Sequence, residues 1–285
     1  LWPQAWNCLS KMRKIAFIVC GFLLLPMYLR AQVDSASRVR LSEMLEQYYD
    51  AMIFEDNTVK ESECDYLIES CKDSIVRQFV ATEILEHYMD PPLMGEEAVA
   101  IYIYEKWFMT EKVHIADSWK DFEANAFYQF NHQSMIDMVA PELTLYDERG
   151  KEFVIPGNEI GILYFYDTSC AKCKLTSSWL PSVLANVRIP IVFYAVYCGT
   201  DAESWHDFTR SFNGGSENVK VIHLWDPQMD SDYQMKYGVT STPKLFFVDD
   251  AHIIRGRRLD KTALEQILTI YESYYGQSEE EKKKS

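Results

Sequence analysis

A short apolar segment that ends just before a Cys-x-x-Cys pair is the feature that most restricts the fold of this chain. Ile162-Leu163-Tyr164-Phe165-Tyr166 is a continuous apolar run, as a strand covered on both faces requires. Cys170-Ala171-Lys172-Cys173 follows it closely, and residues 170–185 have a helical pattern. The cysteine pair is therefore expected between a core strand and the first turn of a helix.

From residue 139 onward, short strand patterns alternate with helical ones. A hairpin is predicted from residues 140–146 and 151–155, which flank an Asp-Glu-Arg-Gly turn. Further strands are predicted at 191–197, 219–224, 244–248 and 253–259, and helices at 204–212 and 261–275. This order indicates an α/β domain at residues 139–276, with a mixed central sheet flanked by helices. Residues 277–285 are predicted to be a disordered, charged tail.

The preceding segment, residues 33–138, has helical periodicity only. Helices are predicted at 39–53, 64–88, 96–108 and 117–130, the last capped by Asp117. The second is a single long helix that ends at Asp90-Pro91-Pro92, where proline prevents continuation. The segment has no Gly-rich loop, no metal-ligand spacing and no strand alternation. It is predicted to be an all-helical domain of unknown role.

Cys64 and Cys71 share one face of the predicted long helix. At 1.5 Å per residue they lie ~10 Å apart along the axis, too far for a disulfide within one helix. Two interpretations stay open. The cysteines are small core residues, or the helix breaks and they form a local bridge.

The N-terminal region has the pattern of an export signal. A basic segment, Lys11 to Lys14, precedes an apolar run of about 15 residues and then Ala31-Gln32. Residues 12–31 are predicted to be a cleaved signal peptide, because a membrane-spanning helix needs ~20 apolar residues. The alternative is a retained anchor, and association with a membrane is expected only in that case. Met12 is a more natural start than Leu1, so residues 1–11 are expected to be an upstream extension.

The net charge excludes one class of partner. The chain carries −15 at pH 7, and about −19 once the first 31 residues, which hold bases but no acids, are removed. Nucleic-acid affinity depends on Lys and Arg displacing counterions from phosphates. Nucleic acid is therefore not expected as a partner.

The position of the cysteine pair predicts thiol chemistry. A helix N-terminus offers unpaired N–H groups and the positive end of the macrodipole, both of which stabilise a thiolate. Cys170 would be the attacking sulfur, and Cys173 would resolve the mixed disulfide. Lys172 and Lys174 would lower the pKa of Cys170 further. Five cysteines follow the signal segment, and an odd number favours one working pair over a disulfide scaffold.

Two other interpretations of the pair are weaker. A zinc site needs four ligands, and the sequence has no second Cys-x-x-Cys and no closely spaced His pair. No metal and no cofactor are therefore expected. A structural disulfide would be unusual on the first turn of a helix that follows a core strand.

Residues 140–275 resemble the TlpA/ResA-like branch of the thioredoxin superfamily. The resemblance rests on the Ala140-Pro141-Glu142-Leu143 entry, the strand that leads into Cys170-Ala171-Lys172-Cys173, Trp225-Asp226-Pro227, and the Thr242-Pro243 dipeptide before an apolar strand. It covers about half of the chain and does not extend to residues 33–138. It implies a thioredoxin-like fold for this part.

The resemblance also implies roles, partners and a location. Pro243 would be the cis-proline beside the active pair and Thr242 would contact the substrate, although an X-Pro bond is trans by default. Partners would be protein thiols or disulfides and a redox partner. The location would be the periplasm or cell envelope of a Gram-negative bacterium.

Some positions depart from the family pattern. Ser169 stands where thioredoxin has Trp, and Ala171-Lys172 replaces Gly-Pro. Tyr164 and Thr176 align with the two carboxylates that usually accept protons, so deprotonation of Cys173 has no evident helper. Asp167 is the nearest acid, and its charge is expected to raise the pKa of a thiolate.

The leading hypothesis is an exported thiol–disulfide oxidoreductase that exchanges a dithiol and a disulfide through Cys170 and Cys173. The alternative is a non-catalytic thioredoxin-fold scaffold of the cell envelope that acts through its helical domain. The missing carboxylates and the Ser169 at the Trp position give the alternative its support.

Overall fold

The computed structural model describes residues 35–284, with side chains described up to residue 275. The predicted signal peptide at 12–31 lies outside the described residues. The chain divides after Tyr128 into two compact units, whereas the sequence pattern changes near Val139. Residues 129–138 belong to the second unit because the segment contacts its sheet, for example through Arg257 Nη2, which donates to Asn131 Oδ1 at 2.7 Å.

The first unit is helical, as predicted. Its helices are α1 Ser35–Met52, α2 Asn57–Ser70, α3 Ser74–Met89, α4 Glu97–Ile103 and α5 Ser118–Asn131. Helix α4 continues as a π-helical segment, Tyr104–Phe108, and the last three residues of α5 belong to the second unit. They enclose one apolar core, with fully buried residues on α2, α3 and α4. Asp117 Oδ1 accepts hydrogen bonds from the backbone of Trp119 and Lys120, so the expected cap at the start of α5 is present.

The single long helix predicted at 64–88 is wrong, since α2 and α3 are separate helices. Asp73 is the N-cap of α3, and its side chain accepts hydrogen bonds from the N–H groups of Ile75 and Val76. The apolar periodicity continues across the break because both helices bury a stripe in the same core.

The second unit is built on a seven-stranded mixed sheet. Its elements are β1 Leu143–Tyr146, β2 Glu152–Ile155, β3 Gly161–Tyr166, α6 Ala171–Leu184, β4 Ile191–Tyr197, α7 Ala202–Ser211, β5 Val219–Trp225, α8 Tyr233–Lys236, β6 Lys244–Val248, β7 Ile254–Arg257 and α9 Lys261–Lys284. The strand order is β2-β1-β5-β4-β3-β6-β7. The three central strands β5, β4 and β3 are parallel to each other, and β6 pairs antiparallel with β3.

Two apolar cores cover the two faces of this sheet. Along β3, Tyr164 and Tyr166 pack on one face with α6, α7 and α9, whereas Leu163 and Phe165 pack on the other. Every residue of β3 and of β4 is buried. The uninterrupted apolar run in the sequence therefore has its physical cause in a strand that is covered on both sides. The predicted fold class, an α/β domain preceded by a helical one, is confirmed.

Residues 277–285 are the expected charged tail, and α9 continues through them as far as Lys284. Glu and Lys are strong helix formers, and the helix has no Pro to end it at residue 276. Within residues 35–284, no helix has the length and apolar character needed to cross a bilayer.

Candidate functional site

The cysteine pair lies at the junction of β3 and α6, where the sequence predicts it. Cys170 is the N-cap residue, with extended backbone angles, and Cys173 lies in the first turn of the helix. Cys170 is half-buried, whereas Cys173 is 1% exposed. Only the first sulfur is therefore open to a partner molecule.

The Cys170 sulfur is held by hydrogen bonds on two sides. It accepts from the backbone N–H of Cys173 at 3.2 Å, as a capping side chain does. Its thiol donates to the carbonyl oxygen of Thr242 at 3.3 Å. The N–H of Cys170 in turn donates to the Asp167 carbonyl at 3.2 Å, which fixes the loop before the helix.

The two thiols have opposite pKa shifts. Burial of Cys170 acts against ionisation, but hydrogen bonds to its sulfur from the side chain and N–H of Cys173, the side chain of Thr242 and the N–H of Lys172 outweigh that cost, and the pKa of Cys170 is lowered. Burial, followed by the hydrogen bond with Cys170, raises the pKa of Cys173 to about 11. The half-buried Cys170 is thus the more acidic thiol, and the buried Cys173 keeps its proton.

Thr242 and Pro243 lie beside the cysteines, and their peptide bond is cis. They precede β6, whose first residue Lys244 pairs with Phe165 near the end of β3. Because β3 leads into the cysteines, this register brings the dipeptide to the same edge of the sheet. The structure therefore collects Cys170, Cys173, Thr242 and Pro243 in one place.

Lys172 and Lys174 are both exposed on the first turns of α6. The leading influence of Lys172 on the pKa of Cys170 comes from its backbone N–H. Hydrogen bonds to the sulfur dominate the pKa shift, rather than the ammonium charges that the sequence singled out. The two side chains are left facing solvent next to the reactive sulfur.

Sequence reasoning missed the contact between Tyr164 and the cysteine helix. The Tyr164 hydroxyl, which is fully buried, donates to the carbonyl oxygen of Cys173 at 3.1 Å and lies 3.0 Å from Ser177 Oγ. Since tyrosine has one hydroxyl proton, Ser177 is the donor in the second bond. Ser177 follows Cys173 by one helical turn, which is the only signal of this arrangement in the sequence.

Asp167 does not act as expected from its charge. Its carboxylate accepts hydrogen bonds from the N–H and the hydroxyl of Ser169, each at 2.7 Å, and like-charge repulsion is not among the leading influences on the pKa of Cys170. Asp167 instead shapes the loop that presents Cys170.

Thr176, which stands at one of the two carboxylate positions of the family pattern, is buried.

The other cysteines are not part of the pair. Burial raises the pKa of Cys198, which follows β4, to about 12. Cys64 and Cys71 are buried in the helical core, and Cys71 donates to the carbonyl of Leu67 at 3.3 Å. Cys64 and Cys71 are not joined by a disulfide, so both are core residues rather than a local bridge. No group of three or more His, Cys, Asp or Glu side chains within residues 35–284 is placed to hold a metal ion.

Comparisons with known proteins concern the fold. No protein-family model matches the chain, and no curated protein matches it. A thioredoxin-like protein from Bacteroides caccae is similar over 91% of this chain and 93% of its own, with a TM-score of 0.65 and 12% identity. The thioredoxin domain of a thiol–disulfide oxidoreductase from Bacteroides vulgatus aligns over 48% of this chain and 96% of its own, with a TM-score of 0.41 and 17% identity. A domain of a possible thiol–disulfide isomerase from Cytophaga hutchinsonii aligns over 52% and 99%, with a TM-score of 0.40 and 25% identity. The first of these similarities confirms the predicted thioredoxin-like fold.

Proposed function

We propose that the chain is an exported thiol–disulfide oxidoreductase in which Cys170 and Cys173 exchange electrons with protein partners. The observation that carries the proposal is the contrast between the two sulfurs. Cys170, at the N-cap, is half-buried with a lowered pKa, and Cys173, in the first turn of α6, is buried with a raised one. An accessible thiolate beside a protected thiol is the arrangement that two-step disulfide exchange requires.

The reaction proceeds in two displacements. The Cys170 thiolate attacks one sulfur of a partner disulfide, which forms a mixed disulfide and releases the first partner sulfur as a thiolate that takes up a proton. Cys173 then loses its proton and attacks Cys170 Sγ, which closes the intramolecular disulfide and releases the second partner thiol. Two electrons pass from the dithiol to the partner. A dithiol reductant in the same compartment regenerates the enzyme.

Thr242 and Pro243 are proposed to dock the partner chain. The carbonyl of Thr242 lies 3.3 Å from Cys170 Sγ, so a polypeptide whose sulfur approaches Cys170 also comes within reach of this backbone. Proline has no N–H of its own, which leaves the Thr242 carbonyl as the polar group that a partner N–H would meet.

Export to the periplasm or cell envelope is part of the proposal. It is supported by the basic segment from Lys11 to Lys14 and by the apolar run that follows it. An oxidising compartment would supply disulfide-bonded partners.

Trapping of the mixed disulfide tests the proposal. The Cys173→Ser variant of the full chain, reduced and then treated with oxidised glutathione, should accumulate a glutathione adduct at Cys170, because nothing resolves it. Cys170→Ser is the matched control and should give no adduct at Cys173. Cys198→Ser should behave as the wild type. Mass spectrometry identifies the adducted residue.

The contrary outcome is equally clear. If Cys173→Ser forms no adduct and the wild type does not reduce the glutathione disulfide, the oxidoreductase proposal fails. The scaffold interpretation, in which the fold is a platform for binding, would then replace it.

A further inference from the structure

The first turns of α6 expose a small basic and apolar surface next to the reactive sulfur. It consists of Lys172, Lys174 and Leu175, all exposed, and Leu175 is 68% exposed although it is a large apolar residue. None of the three supplies a leading side-chain influence on the pKa of Cys170. This surface, called the α6 rim here, has no part in the chemistry proposed above.

The charge of the α6 rim contrasts with that of the molecule. The chain carries −15 overall, yet the rim has two ammonium groups and no acid. The acids in the adjoining loops are Asp167 before α6, and Asp201 and Glu203 at the start of α7; hydrogen bonds orient Asp167 towards Ser169 and Asp201 towards the N–H of Glu203. Asp230 is exposed, but it follows β5, which lies two strands from β3 in the sheet.

A partner that reaches Cys170 must also lie on this surface. The Cys170 sulfur sits between the first turn of α6 and the loop that ends at Thr242. Thr240 and Ser241 of that loop are exposed. A disulfide-bearing segment therefore enters between this loop and the α6 rim, and the residues that flank its cysteine come close to the lysines.

We propose that Lys172 and Lys174 select partner polypeptides whose disulfide is flanked by acidic residues, with Leu175 adding an apolar contact. The inference rests on the proposed function, since the selected event is the attack of Cys170 on the partner disulfide. Opposite charges at a contact raise the rate of productive encounter and disfavour like-charged partners. The lysines are thus specificity determinants of the exchange.

Three synthetic peptides test this inference. Each contains one intramolecular disulfide, and they differ only in two flanking residues, which are both Glu, both Gln or both Lys. The reduced full-length protein is mixed with each peptide in a single turnover, and each rate is divided by the rate of the same peptide with dithiothreitol. Near 0.01 M ionic strength, where the Debye length is ~30 Å, the Glu peptide should react about tenfold faster than the Lys peptide.

Two variants and one salt series locate the effect. The ratio of Glu-peptide to Lys-peptide rates should fall below about threefold in Lys172→Gln/Lys174→Gln, and also near 1 M salt, where the Debye length is ~3 Å. Gln has a helix propensity close to that of Lys, so α6 is preserved. Lys220→Gln/Lys261→Gln removes the same charge from exposed sites on β5 and α9, and it should keep the wild-type ratio.

The Gln peptide separates the two proposals. If the wild type oxidises its dithiol with the Gln peptide but shows no preference between Glu and Lys, the charge selection is overturned and the oxidoreductase function stands. The same conclusion follows if Lys172→Gln/Lys174→Gln keeps the full preference. If no peptide reacts with the wild type, the function itself fails and the selection fails with it.

Discussion

The thiol of Cys170 donates a hydrogen bond to the backbone carbonyl of Thr242 at 3.3 Å, across 72 residues of chain. The same sulfur accepts the N–H of Cys173 at 3.2 Å. When the thiol ionises, the bond to the carbonyl is lost, but the N–H bonds to the sulfur become charge-assisted and strengthen. The site therefore favours the thiolate of Cys170 through hydrogen bonds from the thiol and N–H of Cys173, from the Thr242 side chain and from the N–H of Lys172.

The first prediction concerns the pH dependence of thiol alkylation. Because the pKa of Cys170 is lowered, its thiolate persists to lower pH than that of an ordinary cysteine with a pKa of ~8.5. Iodoacetamide should therefore alkylate Cys170 at pH values where Cys173 and Cys198, with pKa values raised to about 11 and about 12, do not react. Peptide mapping by mass spectrometry gives the rate at each cysteine. Equal rates at Cys170 and Cys198 at neutral pH would contradict the prediction.

Much of the sheet could be predicted from the sequence, because strands buried on both faces leave continuous apolar runs. The bounds of β4 and β6 match those expected. The short helix α8 was not predicted, since its four residues are too few for a periodic pattern. The break between α2 and α3 was missed because one apolar stripe continues through it, while the Asp73 cap that marks it is a single polar residue.

The site was predictable in part for a related reason. Cys170 and Thr242 each stand next to an apolar strand, so the sequence could place both at strand ends. The hydroxyl of Tyr164 was not predictable as a partner of Cys173, because its reach to the α6 backbone depends on how the helix packs over β3. A tyrosine within a buried strand otherwise resembles any apolar residue.

The second prediction compares two neighbouring buried tyrosines. Tyr164→Phe removes the hydrogen bonds to the Cys173 carbonyl and to Ser177 Oγ, and it should lower the free energy of unfolding by about 1 kcal/mol. The Tyr166 ring stacks on the Tyr164 ring with their centroids 5.2 Å apart, but the buried Tyr166 hydroxyl has no hydrogen-bond partner in the described chain. Tyr166→Phe should therefore leave stability unchanged or slightly raised. Urea unfolding of the reduced proteins measures both, and an equal loss in the two variants would disprove the assigned contact.

The third prediction separates steric clash from backbone strain at two glycines. Gly238 begins the segment that leads to Thr242, has a φ of +61°, and a Cβ there would lie 2.4 Å from the carbonyl oxygen of Phe130. Gly150 has a φ of +73° with nothing within 4 Å of its Cβ position. Gly150→Ala should cost only the left-handed penalty of roughly 1–2 kcal/mol.

Gly238→Ala should cost more than Gly150→Ala, because backbone atoms must also move. It should slow the alkylation of Cys170 as well, since the displaced segment carries Thr242, whose side-chain hydrogen bond helps to lower the pKa of Cys170. Urea midpoints and iodoacetamide rates of the two variants give the comparison. A Gly238→Ala protein with the stability and alkylation rate of Gly150→Ala would show that the segment tolerates the added methyl group.

The fourth prediction concerns the ion pairs of the helical unit. Lys60 Nζ donates to Glu96 Oε1 with both side chains almost fully buried, at 3% and 7% exposure, whereas the Lys120–Glu86 pair is exposed at 44% and 37%. Glu96→Gln leaves the buried ammonium without its counter-charge and should destabilise the chain by roughly 3–5 kcal/mol. Lys120→Met should cost no more than about 1 kcal/mol of unfolding free energy, because an exposed pair is screened by water and salt.

Adding Lys60→Met to Glu96→Gln should recover part of the lost stability by removing the uncompensated charge. Thermal and urea unfolding of the three variants decide the matter, and a Glu96→Gln protein as stable as Lys120→Met would show that Lys60 finds another partner.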